Sequence, residues 1–289
     1  MTDNGSLTIA HLGTGTMGLP IAANLAAAGF DLRVWNRSRD KAEPLTEQGA
    51  MVTDSPAEAV TGAAVVITML YDADSVHDTI RQAAPGLADG AVWIQLSTVG
   101  VPGAQRLAEL ADELGLSYLD APVLGTKKPA EDGSLVILAS GPDEARSRCQ
   151  PIFDAIGSRT LWLGAAGSGS RLKLVANAWV LAVLEGIAES LTLATGLGLD
   201  PALFLDAVRG GAMDAPYVQL KGSAMLAGDW TPAFALEGAG KDAGLIIEAA
   251  RAAGVEMPIT AAALDFVRRA VRAGHGDKDM AAIYLAHQG

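Results

Sequence analysis

The sequence has 289 residues, of which 50% are hydrophobic and 19% are charged, so it can bury one large core or two ordinary ones. Its 33 acidic and 21 basic side chains give a formal net charge of -12. That charge repels phosphate backbones and anionic lipid, so we expect neither nucleic acid nor a membrane as a partner. The one cysteine, Cys149, cannot form an internal disulfide, and a reduced, cytoplasmic setting is the default expectation.

No targeting segment is expected, because the first residues are polar and acidic instead of basic and then apolar. The most apolar later stretch, residues 174–184, is too short to span a bilayer and is predicted to be part of a buried helix.

Short apolar runs in the first half predict strands of a parallel sheet at residues 7–12, 31–35, 64–69, 92–96 and 117–120. Helices are predicted at 17–28 and near 40–48 and 56–61. Strands separated by helical segments indicate βαβ units with right-handed crossovers.

After Gly164 the strand-like runs stop. Glycine or proline separates five predicted helices, at residues 170–195, 201–208, 216–227, 237–253 and 258–273. The sequence therefore predicts two domains. Residues 1–164 would form an α/β domain with a mostly parallel, doubly wound sheet, and residues 165–289 an all-α domain.

A glycine-rich segment follows the first predicted strand. The pattern Gly13-x-Gly15-x-x-Gly18 fits the dinucleotide-binding fingerprint of a Rossmann domain, with a strand before it and a helix after it. The N-terminus of that helix directs its N–H groups at phosphate oxygens. The alternative is a turn with a structural role only. The predicted cofactor contacts in this segment are Gly13, Gly15, Thr16, Met17 and Gly18.

The end of the second predicted strand indicates which cofactor is used. An NAD site usually has an acidic residue there, whereas this sequence has Asn36-Arg37-Ser38-Arg39. A guanidinium group can bind a 2′-phosphate in bidentate fashion, so NADP(H) is predicted. The alternative is that Arg37 and Arg39 belong to a solvated helix start. Further predicted cofactor contacts are Asn36, Arg37, Ser38, Met69, Leu70 and Thr98, together with Lys241 in the second half of the chain.

Four motifs in order resemble the β-hydroxyacid dehydrogenases over nearly the whole chain. The first is Gly13–Gly18 with the Asn36-Arg37 that follows it. The others are Asp120-Ala-Pro-Val-Leu-Gly125, the glycine-rich segment 164–169 running on to Lys173 and Asn177, and Lys241-Asp242. The loop at residues 126–133 is similar to that of the glyoxylate and succinic semialdehyde reductase branch.

The resemblance implies a Rossmann domain joined to a helical domain by a long helix, and dimers formed largely through the helical part. It implies that Lys173 is the catalytic lysine with Asn177 beside it, and that Lys241, backed by Asp242, lines the cofactor and substrate cleft. The substrate carboxylate would be held by residues of the Asp120 motif and its neighbours. The implied substrate contacts are Ser97, Pro122, Val123, Leu124, Gly125, Thr126 and Asp242.

Chemistry alone also singles out Lys173. Lys173 and Asn177 are four residues apart, so on a helix they share one face of an otherwise apolar stretch, where an unpaired ammonium is costly to bury. The alternatives are that the lysine reaches solvent or forms a structural ion pair. A lysine ammonium can donate a proton to a carbonyl oxygen that receives hydride at its carbon. The reverse oxidation needs the free amine and should favour alkaline pH.

The other motifs have plainer alternatives. The turn after Asp120 could bind an anion through its N–H groups, with Lys127 and Lys128 adding positive charge, or it could be a solvated loop. Lys241-Asp242 could be a surface ion pair. The family usually has a serine where this chain has Leu124, which removes a donor and points to a more apolar substrate. No metal site is expected from the histidine spacing.

The predicted function is NADPH-dependent reduction of a small aldehyde or keto acid to its hydroxy acid. An imine reductase of the same fold is the first alternative, supported by Leu124. Those enzymes commonly lack a lysine at the position that matches Lys173. A non-catalytic dinucleotide sensor is the second alternative.

Overall fold

The computed structural model describes residues 7–288 and divides into two compact units, the first ending at Lys173 and the second beginning at Leu174. The predicted division after Gly164 and this division differ by the start of the long helix α7, Ser168–Gly196. The first residues of α7 make their contacts with the first unit, because buried hydrogen bonds join them to the strands there.

The first unit contains a parallel six-stranded sheet. Its strands are β1 (Thr8–Leu12), β2 (Asp31–Trp35), β3 (Met51–Val52), β4 (Val65–Thr68), β5 (Val92–Gln95) and β6 (Ser117–Asp120). They lie in the order β3-β2-β1-β4-β5-β6, so the order reverses between β1 and β4. The predicted doubly wound Rossmann sheet is confirmed, and ligands of such sheets bind at the carboxyl ends of the strands beside this reversal.

Helices cover both faces of this sheet. They are α1 (Gly18–Ala27), α2 (Pro56–Val60), α3 (Ala73–Ala83) and α4 (Gly100–Glu113). Alternate residues of β1 face opposite sides, so Ile9 packs in the core with Ile21 of α1, and Ala10 packs in the core with Leu107 of α4. Strands buried on both faces explain the continuous apolar runs in the sequence.

A second, three-stranded sheet was not predicted. It consists of β7 (Val123–Leu124), β8 (Leu135–Ala139) and β9 (Gly157–Trp162), with β7 antiparallel to β8 and β8 parallel to β9. Helices α5 (Lys127–Glu131) and α6 (Arg146–Ile156) connect these strands. The predicted helix at 40–48 is also wrong in type, since two 3-10 helices, Arg39–Lys41 and Glu43–Gln48, occupy it.

Apart from one isolated bridge between Ala235 and Asp279, the regular elements among the described residues of the second unit are helices. After α7 it contains α8 (Ala202–Val208), α9 (Pro216–Ala227), α10 (Leu236–Ala252) and α11 (Pro258–Ala270). A π-helical turn, Val271–His275, and a 3-10 helix, Met280–His287, complete it. The predicted change to an all-α second half is confirmed, although the last 3-10 helix was not foreseen.

Helix α7 is longer than the apolar stretch at 174–184 that it contains. By length and composition alone, its 29 residues could cross a membrane. The mean hydropathy of an 18-residue window is 1.5, and 44% of that window is buried inside the protein. One helix of this kind is weak evidence for a membrane protein, because a core helix of a globular protein has the same length and composition.

Candidate active site

The three glycines of the loop after β1 have two different roles. A Cβ atom on Gly13 would lie 2.3 Å from the Met69 carbonyl oxygen, and one on Gly18 would lie 2.0 Å from the Gly13 carbonyl oxygen. Backbone packing therefore requires glycine at both positions. A Cβ on Gly15 would meet nothing within 4 Å, so this glycine faces open space. Thr16 is exposed and Met17 is half-buried.

The start of α1 is open to an anion. The residue before it, Met17, makes no side-chain cap, and the first turn contains no acidic residue. The first N–H groups of a helix lack intrahelical partners, and the helix dipole adds partial positive charge there. The N-terminus of α1 and the open space at Gly15 together form a cradle of the kind that binds phosphate.

Asn36 ties this loop to the end of β2. Its side-chain oxygen accepts a hydrogen bond from the Thr14 N–H at 3.0 Å, and its amide nitrogen donates to the Ser38 carbonyl at 2.9 Å. The Gly13 N–H donates to the Trp35 carbonyl at 2.8 Å. The side chain of Asn36 thus holds the glycine loop in its conformation. Its contact with the cofactor remains a prediction.

The two arginines that follow differ in their surroundings. Arg39 is paired with Glu43 at 2.7 Å and with Asp54 at 2.5 Å. Arg37 is exposed, as is Ser38, and within residues 7–288 the structure gives the Arg37 guanidinium no ion pair. Arg39 therefore fits the alternative of a solvated helix start, whereas the exposed Arg37 guanidinium can bind a phosphate.

The ends of β4 and β5 lie at the same edge as the glycine loop. The Leu70 N–H donates to the Ser97 hydroxyl at 2.8 Å, and the Ser97 N–H donates to Gln95 Oε1 at 2.5 Å. Ser97 is 1% exposed, so its hydroxyl holds the segment at Met69 and Leu70 in place. Thr98 is half-buried at this edge.

Lys173 contacts the segment that follows β6. Its Nζ donates to the Val123 carbonyl at 2.8 Å. Pro122 and Val123 are buried, Leu124 and Thr126 are half-buried, and Gly125 is exposed with φ +128°, a conformation that favours glycine. The first unit therefore brings a lysine ammonium to the predicted substrate segment, fifty residues earlier in the chain.

The two lysines after this segment do not form an open cationic cluster. Lys127 pairs with Glu131 at 3.7 Å, and Lys128 pairs with Asp132 at 2.5 Å, both on the exposed surface of α5. The hydrogen bond to Asp132 raises the pKa of Lys128. Both lysines therefore fit the alternative of a solvated loop better than that of a positive cluster for an anion.

The second unit brings together three predicted site residues. The Asn177 amide nitrogen donates to Asp242 Oδ2 at 2.8 Å, and Lys241 Nζ lies 3.1 Å from Asp242 Oδ1. Asp242 is only 4% exposed. Both carboxylate oxygens thus have a partner within the protein, so Asp242 orients Asn177 and Lys241. No three metal-binding side chains group together among the described residues.

Comparison with known proteins identifies the family. Residues 8–164 match the family model of the NAD binding domain of 6-phosphogluconate dehydrogenase, and residues 167–286 match that of the NAD-binding region of NADP-dependent 3-hydroxyisobutyrate dehydrogenase. The chain belongs to the β-hydroxyacid dehydrogenase family. It is therefore an NAD(P)-dependent oxidoreductase that acts on a hydroxyl group.

Relatives of this β-hydroxyacid dehydrogenase match it over almost its full length. It is 35% identical to the chloroplastic glyoxylate/succinic semialdehyde reductase 2 of Arabidopsis thaliana, over 98% of this chain and 80% of that protein. It is 34% identical to reductase 1 of that plant, over 97% and 98%. The solved 3-hydroxyisobutyrate dehydrogenase of Salmonella typhimurium is 26% identical, with a TM-score of 0.89 over 96% of this chain and 99% of that one.

The glycine loop of this β-hydroxyacid dehydrogenase fits a nicotinamide dinucleotide. Gly15 leaves open space where a side chain would otherwise project, and the uncapped start of α1 offers N–H donors beside it. A pyrophosphate needs both features, close approach to backbone and donors that are not used within the protein. The fingerprint is local, so these positions could be predicted from the sequence. Ser170 was not predicted, because the residue it binds, Asp120, is fifty residues away in the chain.

Proposed function

We propose that this protein reduces a small aldehyde or keto acid, of the glyoxylate or succinic semialdehyde type, to the hydroxy acid with NADPH, and that Lys173 donates the proton. The observation that carries the proposal is the 2.8 Å hydrogen bond from Lys173 Nζ to the Val123 carbonyl. It holds the ammonium at the segment Pro122–Thr126, which the family motif assigns to the substrate.

The chemistry that NADPH would supply when bound is a hydride for the carbonyl carbon of the substrate. Negative charge then develops on the carbonyl oxygen, and Lys173 transfers a proton from Nζ to it, which yields the hydroxyl group. An ammonium has three donors, so Nζ can bond to the Val123 carbonyl and to the substrate oxygen at the same time. Proton donation by a positioned side chain typically contributes about 10²–10⁴ in rate.

The segment Pro122–Thr126 indicates which substrates the site would select. Gly125 is exposed and Thr126 is half-buried, so their backbone and hydroxyl groups can reach a carboxylate. Leu124, in place of the usual serine, adds an apolar side chain instead of a donor. We therefore assign to this site a substrate with some apolar surface, and we assign Ser97, which is buried, to the support of Leu70.

NADP(H) is the proposed form of the cofactor because of Arg37. This guanidinium is exposed at the end of β2, where an NAD site would have an acidic residue. Ser38, also exposed, is assigned to the same phosphate. Met69, Leu70 and Thr98, at the ends of the neighbouring strands, are assigned to the cofactor as well.

The proposal gives Asn177 and Lys241 roles in catalysis and cofactor binding, on the strength of the family motifs. We also propose that the protein forms a homodimer, or a dimer of dimers, in the cytoplasm. Large apolar side chains of the second unit are exposed on α7 and just after it, with Val175 at 67%, Trp179 at 70%, Leu193 at 63% and Leu197 at 68%. Exposed apolar patches of this kind mark association surfaces. Sedimentation of the wild type and of Trp179→Glu tests the dimer.

The test of function is NADPH oxidation with glyoxylate, succinic semialdehyde and a cyclic imine, for the wild type and for Lys173→Ala. We expect turnover of one of the two aldehydes and a loss of at least about 100-fold in kcat for Lys173→Ala. Lys127→Ala is the matched control, since this lysine pairs with Glu131 on the surface, and should behave as the wild type.

Other outcomes distinguish the alternatives. Activity of Lys173→Ala within about threefold of the wild type would rule out the proton-donor role. Turnover of the imine alone would favour an imine reductase, for which Leu124 is the supporting observation. Tight NADPH binding without oxidation by any of the three compounds would favour a non-catalytic sensor.

A further inference from the structure

The start of α7 is bound to the end of β6 by a buried carboxylate. Asp120 is completely buried, and its Oδ2 accepts the Ser170 N–H at 2.8 Å while its Oδ1 accepts the Ser170 hydroxyl at 2.7 Å. The Ser140 hydroxyl donates to the Asp120 carbonyl at 3.0 Å and accepts the Gly169 N–H at 2.9 Å. Gly169 and Ser170, in the first turn of α7, are thereby bound to the last residue of β6 and to the residue just after β8.

Backbone packing fixes the same turn. A Cβ atom on Gly169 would lie 2.2 Å from the Leu138 carbonyl oxygen and 2.7 Å from the Asp120 carbonyl oxygen. Only glycine allows α7 to start this close to β6 and β8. The helix can therefore neither move away, because of the hydrogen bonds, nor approach further, because of the backbone contact.

Lys173 lies less than one helical turn after Ser170. Its Nζ bonds to the Val123 carbonyl, and Val123 lies three residues after Asp120. The Asp120–Val123 segment thus contacts α7 at two points. The Asp120 carboxylate binds Ser170, and the Val123 carbonyl binds Lys173. A rotation or shift of α7 at the first point would move the ammonium at the second.

We propose that Asp120 and Ser170 are positioning residues for Lys173, which set the place of its ammonium by fixing the start of α7. The inference rests on the proposed proton-donor role of Lys173. Asp120 is completely buried and its carboxylate is bonded to Ser170, so we assign it a positioning role and no contact with substrate.

The hydrogen bonds at the start of α7 also limit where a substrate anion can bind. The N–H groups of Gly169 and Ser170 are bonded to Ser140 and Asp120, and a carboxylate already sits at this helix start. These two N–H groups of α7 are therefore not available to a substrate carboxylate.

The test variant is Ser170→Ala, which removes one hydroxyl and leaves the backbone N–H bond to Asp120. We expect kcat to fall about 10-fold to 100-fold, because small misplacements of a catalytic group have effects of this size. The dissociation constant of NADPH should stay essentially unchanged, since Ser170 bonds to the edge strand β6, which β4 and β5 separate from β1. Ser190→Ala is the control, because it removes a hydroxyl bond to Gly186 on the same helix.

A second measurement reports on Lys173 without turnover. Reductive methylation with ¹³C-formaldehyde labels the lysines, and the Lys173 resonance is identified by its absence from Lys173→Ala. We expect the Lys173 resonance to shift in Ser170→Ala and to stay in place in Ser190→Ala.

The outcomes separate this proposal from the proposed function. A shifted resonance in a protein that reduces none of the carbonyl compounds would keep the positioning role and overturn the function. If Lys173→Ala loses all activity while Ser170→Ala keeps the wild-type kcat and the wild-type position of the Lys173 resonance, the proposed function stands and the positioning role is overturned. A fall in kcat without a shift of the resonance would also overturn the positioning role.

Discussion

The side-chain amide of Asn177 donates a hydrogen bond to Asp242 Oδ2 at 2.8 Å, which joins α7 to α10 within the second unit. Asp242 is almost fully buried, and its other oxygen lies 3.1 Å from Lys241 Nζ. One buried carboxylate therefore sets the orientation of two polar side chains that the sequence had placed in the site separately.

The Asn177–Asp242 bond should have a measurable coupling energy. We expect a double-mutant cycle with Asn177→Ala and Asp242→Ala to give about 1–3 kcal/mol in the free energy of unfolding, because a buried carboxylate without its donor is costly. Chemical denaturation checks this. The matched control is Gln105 and Glu109, an exposed amide–carboxylate pair at 3.1 Å, for which a coupling near zero is expected. Equal coupling in the two cycles would contradict the prediction.

Arg37 should decide between NADPH and NADH. We expect Arg37→Ala to weaken NADPH binding by at least about 10-fold and NADH binding hardly at all, because only NADPH has the 2′-phosphate. Fluorescence titration of both cofactors measures this. Arg39→Ala is the control, since that arginine is already paired with Glu43 and Asp54, and it should affect NADPH much less. An equal loss for both cofactors in Arg37→Ala would disprove the assignment.

Two glycines of the loop should respond differently to alanine. Gly15 has an ordinary φ and open space where the methyl group would lie, so Gly15→Ala should leave the thermal midpoint of the free protein unchanged and weaken NADPH binding. Gly18→Ala places a methyl group 2.0 Å from the Gly13 carbonyl oxygen and should lower the midpoint itself. Thermal unfolding with and without NADPH tests both. Unaltered affinity in Gly15→Ala would show that the cradle binds no dinucleotide.

His11 should make stability depend on acid pH. It is fully buried in β1, neither ring nitrogen has a hydrogen-bond partner among the described residues, and burial lowers its pKa from 6.5 to about 4. The unfolded chain therefore binds a proton between these two values and the folded protein does not, so stability falls as the pH falls from 6.5 toward 4.

His11→Leu removes this effect. We expect it to stabilise the protein by about 1–2 kcal/mol at pH 7, because two buried polar atoms without partners are replaced by apolar ones. At pH 5 the advantage should be larger by about 2 kcal/mol. Urea denaturation at both pH values measures the difference, with His77→Leu, a half-buried surface histidine, as the control. An advantage that does not grow on acidification would contradict the linkage.

The sequence was most informative where structure is local. A parallel strand buried on both faces needs a continuous apolar run, and the glycine turn after β1 needs particular residues within six positions. The order of elements, the dinucleotide loop and the change to helices could therefore be predicted. The second sheet was not predicted. Its strand β7 is only two residues long and follows β6 almost directly, whereas β8 is a continuous apolar run, LVILA, of the kind that predicted the other strands.

Side-chain partners across long sequence distances were decided by tertiary structure alone. Arg37 was predicted as the phosphate contact from its place after β2, but only the structure supplies the physical difference from Arg39, which is paired with Glu43 and Asp54. The sequence also contained no sign that Asp120 is bonded to Ser170, fifty residues later.

The residue types by themselves determined that this chain folds as a dinucleotide-binding domain followed by helices, and that Lys173 was the group to suspect. Only the tertiary structure decided what holds that lysine in place. The physical reason is that a backbone pattern is fixed by neighbours along the chain, whereas a buried hydrogen bond depends on which distant atoms the packed core brings within about 3 Å.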